Sequence, residues 1–239
     1  PLSLRRQRQM CIRDRAYGEL SNLAMATDLP GSIRDVDQPK VCRFINDGLH
    51  RLYSLFNLKE RNVVIEQVDH ITYYHLLTKF AESNKDSKEE IKYIKDREHE
   101  PFGDDVIRIL EVRNEHGQLM PLNDMNHPRS LFTPQVNLTL QVPHPIEGMP
   151  LVITYQAKHS DVTLDKMENA ILLPEVLHVP LRCHVAYQVY TSMNTQEATA
   201  KAMEYLTRFD TLCSDVQERD TVTSSIVSRN TTFEQRGFI

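Results

Sequence analysis

The chain has 239 residues, of which 40% are hydrophobic and 26% are charged, and its formal net charge is −5. These values are typical of a folded protein with a buried core, and they exclude a chain that is disordered throughout. No apolar run is long enough to cross a bilayer, so the sequence predicts a soluble protein that does not contact a membrane.

Residues 1–15 differ from the rest of the chain. They carry five Arg and one Asp, show no helical or strand period, and resemble translated sequencing-adapter read-through, the likeness being carried by residues 8–15. We interpret them as an artefact without a structural role; the alternative is a basic arm that binds nucleic acid. Leaving out these five Arg and one Asp takes the net charge from −5 to −9. An acidic body disfavours a DNA-gripping surface and suits a channel past which DNA slides.

Two helices are predicted at the start of the remaining chain. The first spans Ala16 to about Thr27, and Pro30-Gly31 ends it. The second begins near Pro39, a residue type that suits a first helical turn. Its apolar residues recur at spacings of three and four, which indicates one buried stripe. That stripe consists of Val41, Phe44, Ile45, Gly48, Leu49, Leu52 and Phe56.

The middle of the chain changes to the two-residue period of β-strands. Strands are predicted at 63–65, 71–74, 107–112, 136–142 and 151–157. The last two alternate strictly, and the connection Pro143–Pro150 contains Gly148, so we expect these two strands to pair as an antiparallel hairpin. The segment Ser83–Glu100 mixes charges of both signs, which favours a solvated loop or an exposed edge.

Helices return towards the end of the chain. A helix from about Pro180 to Ser192 is apolar on two faces, so it must be covered either by its own domain or by a neighbouring subunit, which is a first indication of an oligomer. The last helix is predicted to begin at a capping box led by Asn194 and to run to about Glu218. Beyond Asp220 the chain is polar and ends in aromatic residues, which is typical of a segment that becomes ordered on a partner; a simply frayed segment is the alternative.

Motifs that carry catalysis or bind cofactors are missing from the sequence. It contains no Gly-rich phosphate loop, no His-Glu-x-x-His and no Gly-x-Ser-x-Gly. Its ten His are scattered, and Cys42, Cys183 and Cys213 fit buried free thiols. The carboxylate pairs Asp104/Asp105 and Asp161/Asp165 fit turn and cap positions. We therefore predict no enzyme activity, no metal and no cofactor; a small hydrolase in which His and Asp converge is the alternative.

The order of elements is a helical pair, an inserted β-domain, a second helical pair and an extended tail. Four stretches within it resemble the head–tail adaptor, or neck, proteins of tailed bacteriophages, and the likeness covers most of residues 16–239. These stretches are Phe44–Leu49 with Leu52 and Phe56, Pro101–Val106, Leu173–Leu181 and Ser192–Glu197.

The predicted fold is α+β, with a discontinuous helical bundle (16–60 and 174–219), an inserted antiparallel β-domain (61–173) and an extended C-terminal arm (220–239). The resemblance implies a virion protein that assembles in the host cytoplasm into a ring, usually of twelve copies. Such a ring docks under the portal protein, contacts a downstream tail or nozzle protein, and lets DNA pass without sequence-specific binding.

The resemblance also implies roles for individual residues. Phe233, Arg236 and Phe238 are the expected portal contacts. The expected contacts between subunits are Leu181, Val185, Tyr190, Leu206 and Phe209. Because the β-domain is larger than in minimal adaptors, a tail-completion, tail-terminator or baseplate subunit is the alternative within the same class, and exposed aromatic residues on one sheet face would favour a baseplate subunit.

Overall fold

The computed structural model of the protein describes residues 37–134, 138–163, 171–219 and 222. It has the predicted mixed α+β fold with antiparallel sheets. The described residues fall into two compact units. The helical unit contains the residues up to Ile45 and those from 171 onwards, and the β unit contains the residues from Asn46 to 163. No helix in the described ranges is both long and apolar enough to cross a membrane.

The elements follow one another in the predicted order. They are α1 (Gln38–Leu55), β1 (Glu60–Glu66), β2 (Tyr73–His75), β3 (Ile94–Lys95), β4 (Val106–Arg113), β5 (Thr139–Gln141), β6 (Pro150–Ala157), α2 (His178–Thr191) and α3 (Gln196–Glu218), with 3-10 turns at Thr78–Phe80 and Glu175–Leu177. The predicted helix at 16–27 and the segment 1–15 lie outside the described residues.

Helix α1 confirms the predicted stripe in its main positions. Pro39 lies in the first turn, where a missing N–H removes no intrahelical hydrogen bond. Val41, Gly48, Leu49 and Leu52 are buried, while Phe44 and Ile45 are half-buried. The apolar spacing therefore identified both the helix and the side that it buries.

The main sheet of the β unit has four antiparallel strands in the order β3–β1–β6–β4. The central pair, β1 with β6, is in continuous register from Glu60 opposite Gln156 to Glu66 opposite Pro150. Strand β4 pairs with the other side of β6, with two register shifts. Leu151 and Ile153 of β6 are buried and Val152 between them is half-buried, because successive side chains of a strand point to opposite faces.

The predicted hairpin between 136–142 and 151–157 is wrong. Strand β5 pairs with β2 in a separate two-stranded sheet, and its Gln141 exchanges backbone hydrogen bonds with Phe132 on the other side. The Pro143–Pro150 connection is instead held by Gln67, whose backbone carbonyl accepts from Gly148 N–H at 2.9 Å and whose side-chain Oε1 accepts from Ile146 N–H at 2.9 Å. These hydrogen bonds hold the connection next to Gln67, which follows β1. Strand β6 therefore pairs with β1 in the larger sheet and not with β5.

One hydrophobic core joins the two sheets of the β unit. Its least exposed side chains come from all six strands and from a connecting loop. They include Ile65, Tyr74, Leu76, Ile94, Val112, Leu140, Ile153 and Tyr155. Burial of this much aliphatic and aromatic surface is the main stabilising contribution to the unit.

In the helical unit, α2 and α3 pack as a hairpin with a short connection. Pro180 lies in the first turn of α2, as predicted. The predicted N-cap of α3 is off by one residue: Asn194 adopts a positive φ of 53°, and Thr195 caps the helix by accepting a hydrogen bond from Ala198 N–H at 3.2 Å. Asn tolerates the left-handed conformation, so it forms the turn, and Thr supplies the capping oxygen.

Candidate assembly surface

Several of the stretches that carry the resemblance make structural contacts within the chain. Asn46 of the first stretch holds Val162 through two hydrogen bonds: its Nδ2 donates to the Val162 carbonyl at 3.0 Å, and its Oδ1 accepts from Val162 N–H at 2.8 Å. The side chain of Gln156 donates to the carbonyls of Tyr53 and Phe56, the latter at 2.9 Å. These bonds hold the second half of α1, from Asn46 onwards, against the rest of the β unit.

The second stretch, Pro101–Val106, contains a buried carboxylate. Asp105 is 8% exposed and accepts from the Tyr155 hydroxyl at 2.9 Å and from the Arg61 guanidinium at 3.1 Å. Lys59 Nζ lies 3.7 Å away, and Glu100 accepts from the other Arg61 nitrogen at 3.2 Å. Burial and the adjacent Asp105 carboxylate raise the pKa of the Tyr155 hydroxyl, which stays protonated and keeps donating. This cluster, made of Lys59, Arg61, Asp105 and Tyr155, joins β1, β4 and β6.

The same stretch is fixed at two other points. Phe102 N–H donates to Asp96 at 2.9 Å, and Asp96 also accepts from Ser83 N–H at 2.9 Å. Asp104, at φ 52°, accepts from the hydroxyl of Thr78 at 2.7 Å. Asp104 and Asp105 therefore act as structural acceptors, Asp161 is exposed, and Asp165 lies outside the described residues.

Acid should weaken the β unit through Asp96. Burial alone would raise the pKa of this carboxyl, but the hydrogen bonds from Phe102 and Ser83 outweigh burial and hold the pKa below its usual range. Its folded-state pKa is therefore lower than its unfolded one, so its contribution to stability is present above the unfolded pKa and is lost as pH falls through the folded pKa. Urea unfolding should show that, between about pH 5 and pH 2, the free energy of unfolding falls more steeply with decreasing pH for the wild type than for Asp96→Asn. Equal slopes would contradict this assignment.

The third stretch, Leu173–Leu181, leads into α2 and leaves apolar side chains at the surface. Leu177 is fully buried, and His178 Nε2 lies 3.1 Å from the Leu173 carbonyl. The other face of this segment is exposed and carries one acidic and several apolar residues. Together with Leu172, which immediately precedes the segment, this face forms the leading strip, which consists of Leu172, Pro174, Glu175 and Val176.

The five predicted subunit contacts do not share one environment. Leu181, Val185 and Phe209 are buried inside the chain itself, and Phe209 has no exposed surface. Both apolar faces of α2 are thus covered within one copy, so the two-faced pattern requires no neighbouring subunit. Tyr190 and Leu206 are half-buried and retain surface for a partner.

Tyr190 belongs to an aromatic patch that sequence reasoning found only in part. Its ring stacks on that of Tyr205 with the ring centroids 5.6 Å apart, and Lys201 Nζ lies 5.8 Å from the centre of the Tyr190 ring. We call Tyr190, Lys201 and Tyr205 the tyrosine patch. Lys201 and Tyr205 are four residues apart on α3, which places them on one helical face. This spacing is the feature of the sequence that could have identified them as neighbours.

The remaining candidates for chemistry are dispersed. Cys42, Cys183 and Cys213 are buried, as predicted. Within the described ranges, no group of three or more His, Cys, Asp or Glu is placed to hold a metal ion. The predicted portal contacts Phe233, Arg236 and Phe238 lie outside the described residues.

Comparison with known families gives one result that covers nearly the whole chain. No curated protein is significantly similar to it in sequence. The family model described as SU10 adaptor protein matches residues 15–230, which includes both units. The chain therefore belongs to the SU10 adaptor protein family: it is a phage adaptor protein and a component of the virion.

Proposed function

We propose that the chain is a non-enzymatic, ring-forming head–tail adaptor that joins the portal to the tail and lines the channel through which DNA leaves the capsid. The family match over residues 15–230 carries the proposal, because it supports an adaptor role for nearly the whole chain. The ring, the portal and the tail as partners are our inference from the resemblance of the four sequence stretches.

The surface of the helical unit supports a role in assembly. Leu172 is 65% exposed and Val176 is 47% exposed, and the tyrosine patch adds half-exposed aromatic surface. Aromatic residues are enriched at the centres of protein interfaces, and exposed apolar patches mark surfaces that bind partners. The β unit, by contrast, uses its polar clusters to fix its own strands and loops.

The charge of the chain fits a conduit. The net charge of −9 outside residues 1–15 would give a ring of twelve copies about a hundred negative charges. Such a ring would repel the DNA phosphates and let DNA pass without adhesion.

The C-terminal arm is the proposed portal contact, and this part of the proposal rests on the sequence. Phe233, Arg236 and Phe238 follow the matched range and would act as two aromatic anchors and one charged contact. Replacing Phe233 and Phe238 by Ala should weaken docking on the portal at least about tenfold, because buried aromatic anchors supply most of the energy of an interface. Co-sedimentation with the portal protein of the same phage measures the effect.

The control for that experiment is Met125→Ala, which truncates a 90% exposed apolar side chain of the β unit. It should leave docking unchanged, and the double variant should unfold at the same urea concentration as the wild type. Docking that survives the loss of both aromatic side chains would remove the arm from the proposed contact.

Baseplate recognition through the β unit is less well supported. It would need several exposed aromatic side chains on one sheet face, and in the described part of the β unit the exposed aromatic side chain is Tyr73. Tyr74, Tyr93 and Tyr155 are buried. The aromatic residues of this unit therefore serve mainly its core.

A further inference from the structure

We draw no further inference here: the strongest candidate, the leading strip that precedes α2 in the helical unit, exposes apolar side chains at Leu172 and Val176, but nothing in the described residues shows what covers it.

Discussion

Replacing Asp105 by Ala should lower the free energy of unfolding by roughly 2–4 kcal/mol. Asp105 accepts from the Tyr155 hydroxyl and from Arg61, and Tyr155 is 1% exposed. The substitution would leave the buried Tyr155 hydroxyl without its acceptor and the half-buried Arg61 guanidinium with Glu100 alone. A buried polar group left without its partner destabilises the fold by more than the hydrogen bond had stabilised it. Urea unfolding followed by circular dichroism measures the change.

Asp161→Ala is the matched control for Asp105→Ala, because it removes an exposed aspartate of the same unit. Its effect should stay within about 0.5 kcal/mol. A double-mutant cycle with Tyr155→Phe should show coupling, since the two side chains touch. If Asp105→Ala costs no more than the control, the cluster is not a stabilising element of the sheet.

Replacing Phe209 by Ala should lower the free energy of unfolding of the helical unit by about 3–5 kcal/mol. The Phe209 side chain has no exposed surface, and its ring packs edge-on against His184 with centroids 5.5 Å apart. The loss should appear at protein concentrations where the chain is monomeric, because the cavity forms within one copy.

Measuring stability on the monomeric chain separates a core residue from a residue of a subunit interface. Met203→Ala, on the same helix, removes a side chain that is 56% exposed, and it should change the stability of the monomer by less than about 0.5 kcal/mol. If Phe209→Ala left the monomer as stable as wild type and affected only assembly, Phe209 would belong to a subunit contact, as the sequence suggested.

The helices and most strands could be predicted because their signals are local. The spacing of Val41, Leu49 and Leu52 identified α1 and its buried side, and alternation identified β6. The alternation of apolar and polar residues does not show which strand pairs with which. For this reason the sequence did not identify β2 as the partner of β5. The bonds that decide it run from Gln67 to the Pro143–Pro150 connection, far along the chain, and no local pattern reveals them.

The same limit applies to the candidate surfaces. An apolar stripe indicates that a side chain is buried, but it does not show whether the same chain or a neighbouring subunit covers it. The sequence therefore predicts subunit contacts for Leu181 and Val185, although their own chain covers both.

The contacts of Pro101–Val106 give a physical reason for the residue types in this stretch. Phe102, Asp104 and Asp105 each make a different contact, to Asp96, to Thr78 and to Arg61 with Tyr155. The stretch thus secures the entry to β4 and leaves the helical unit as the proposed site of assembly.

Electron microscopy of the full chain mixed with the portal protein of the same phage tests the central claim most directly. The proposed function predicts class averages in which a closed ring of several copies lies coaxially on the portal ring. Images in which the portal stays bare, or carries isolated copies without a ring at any concentration of the chain, would contradict it.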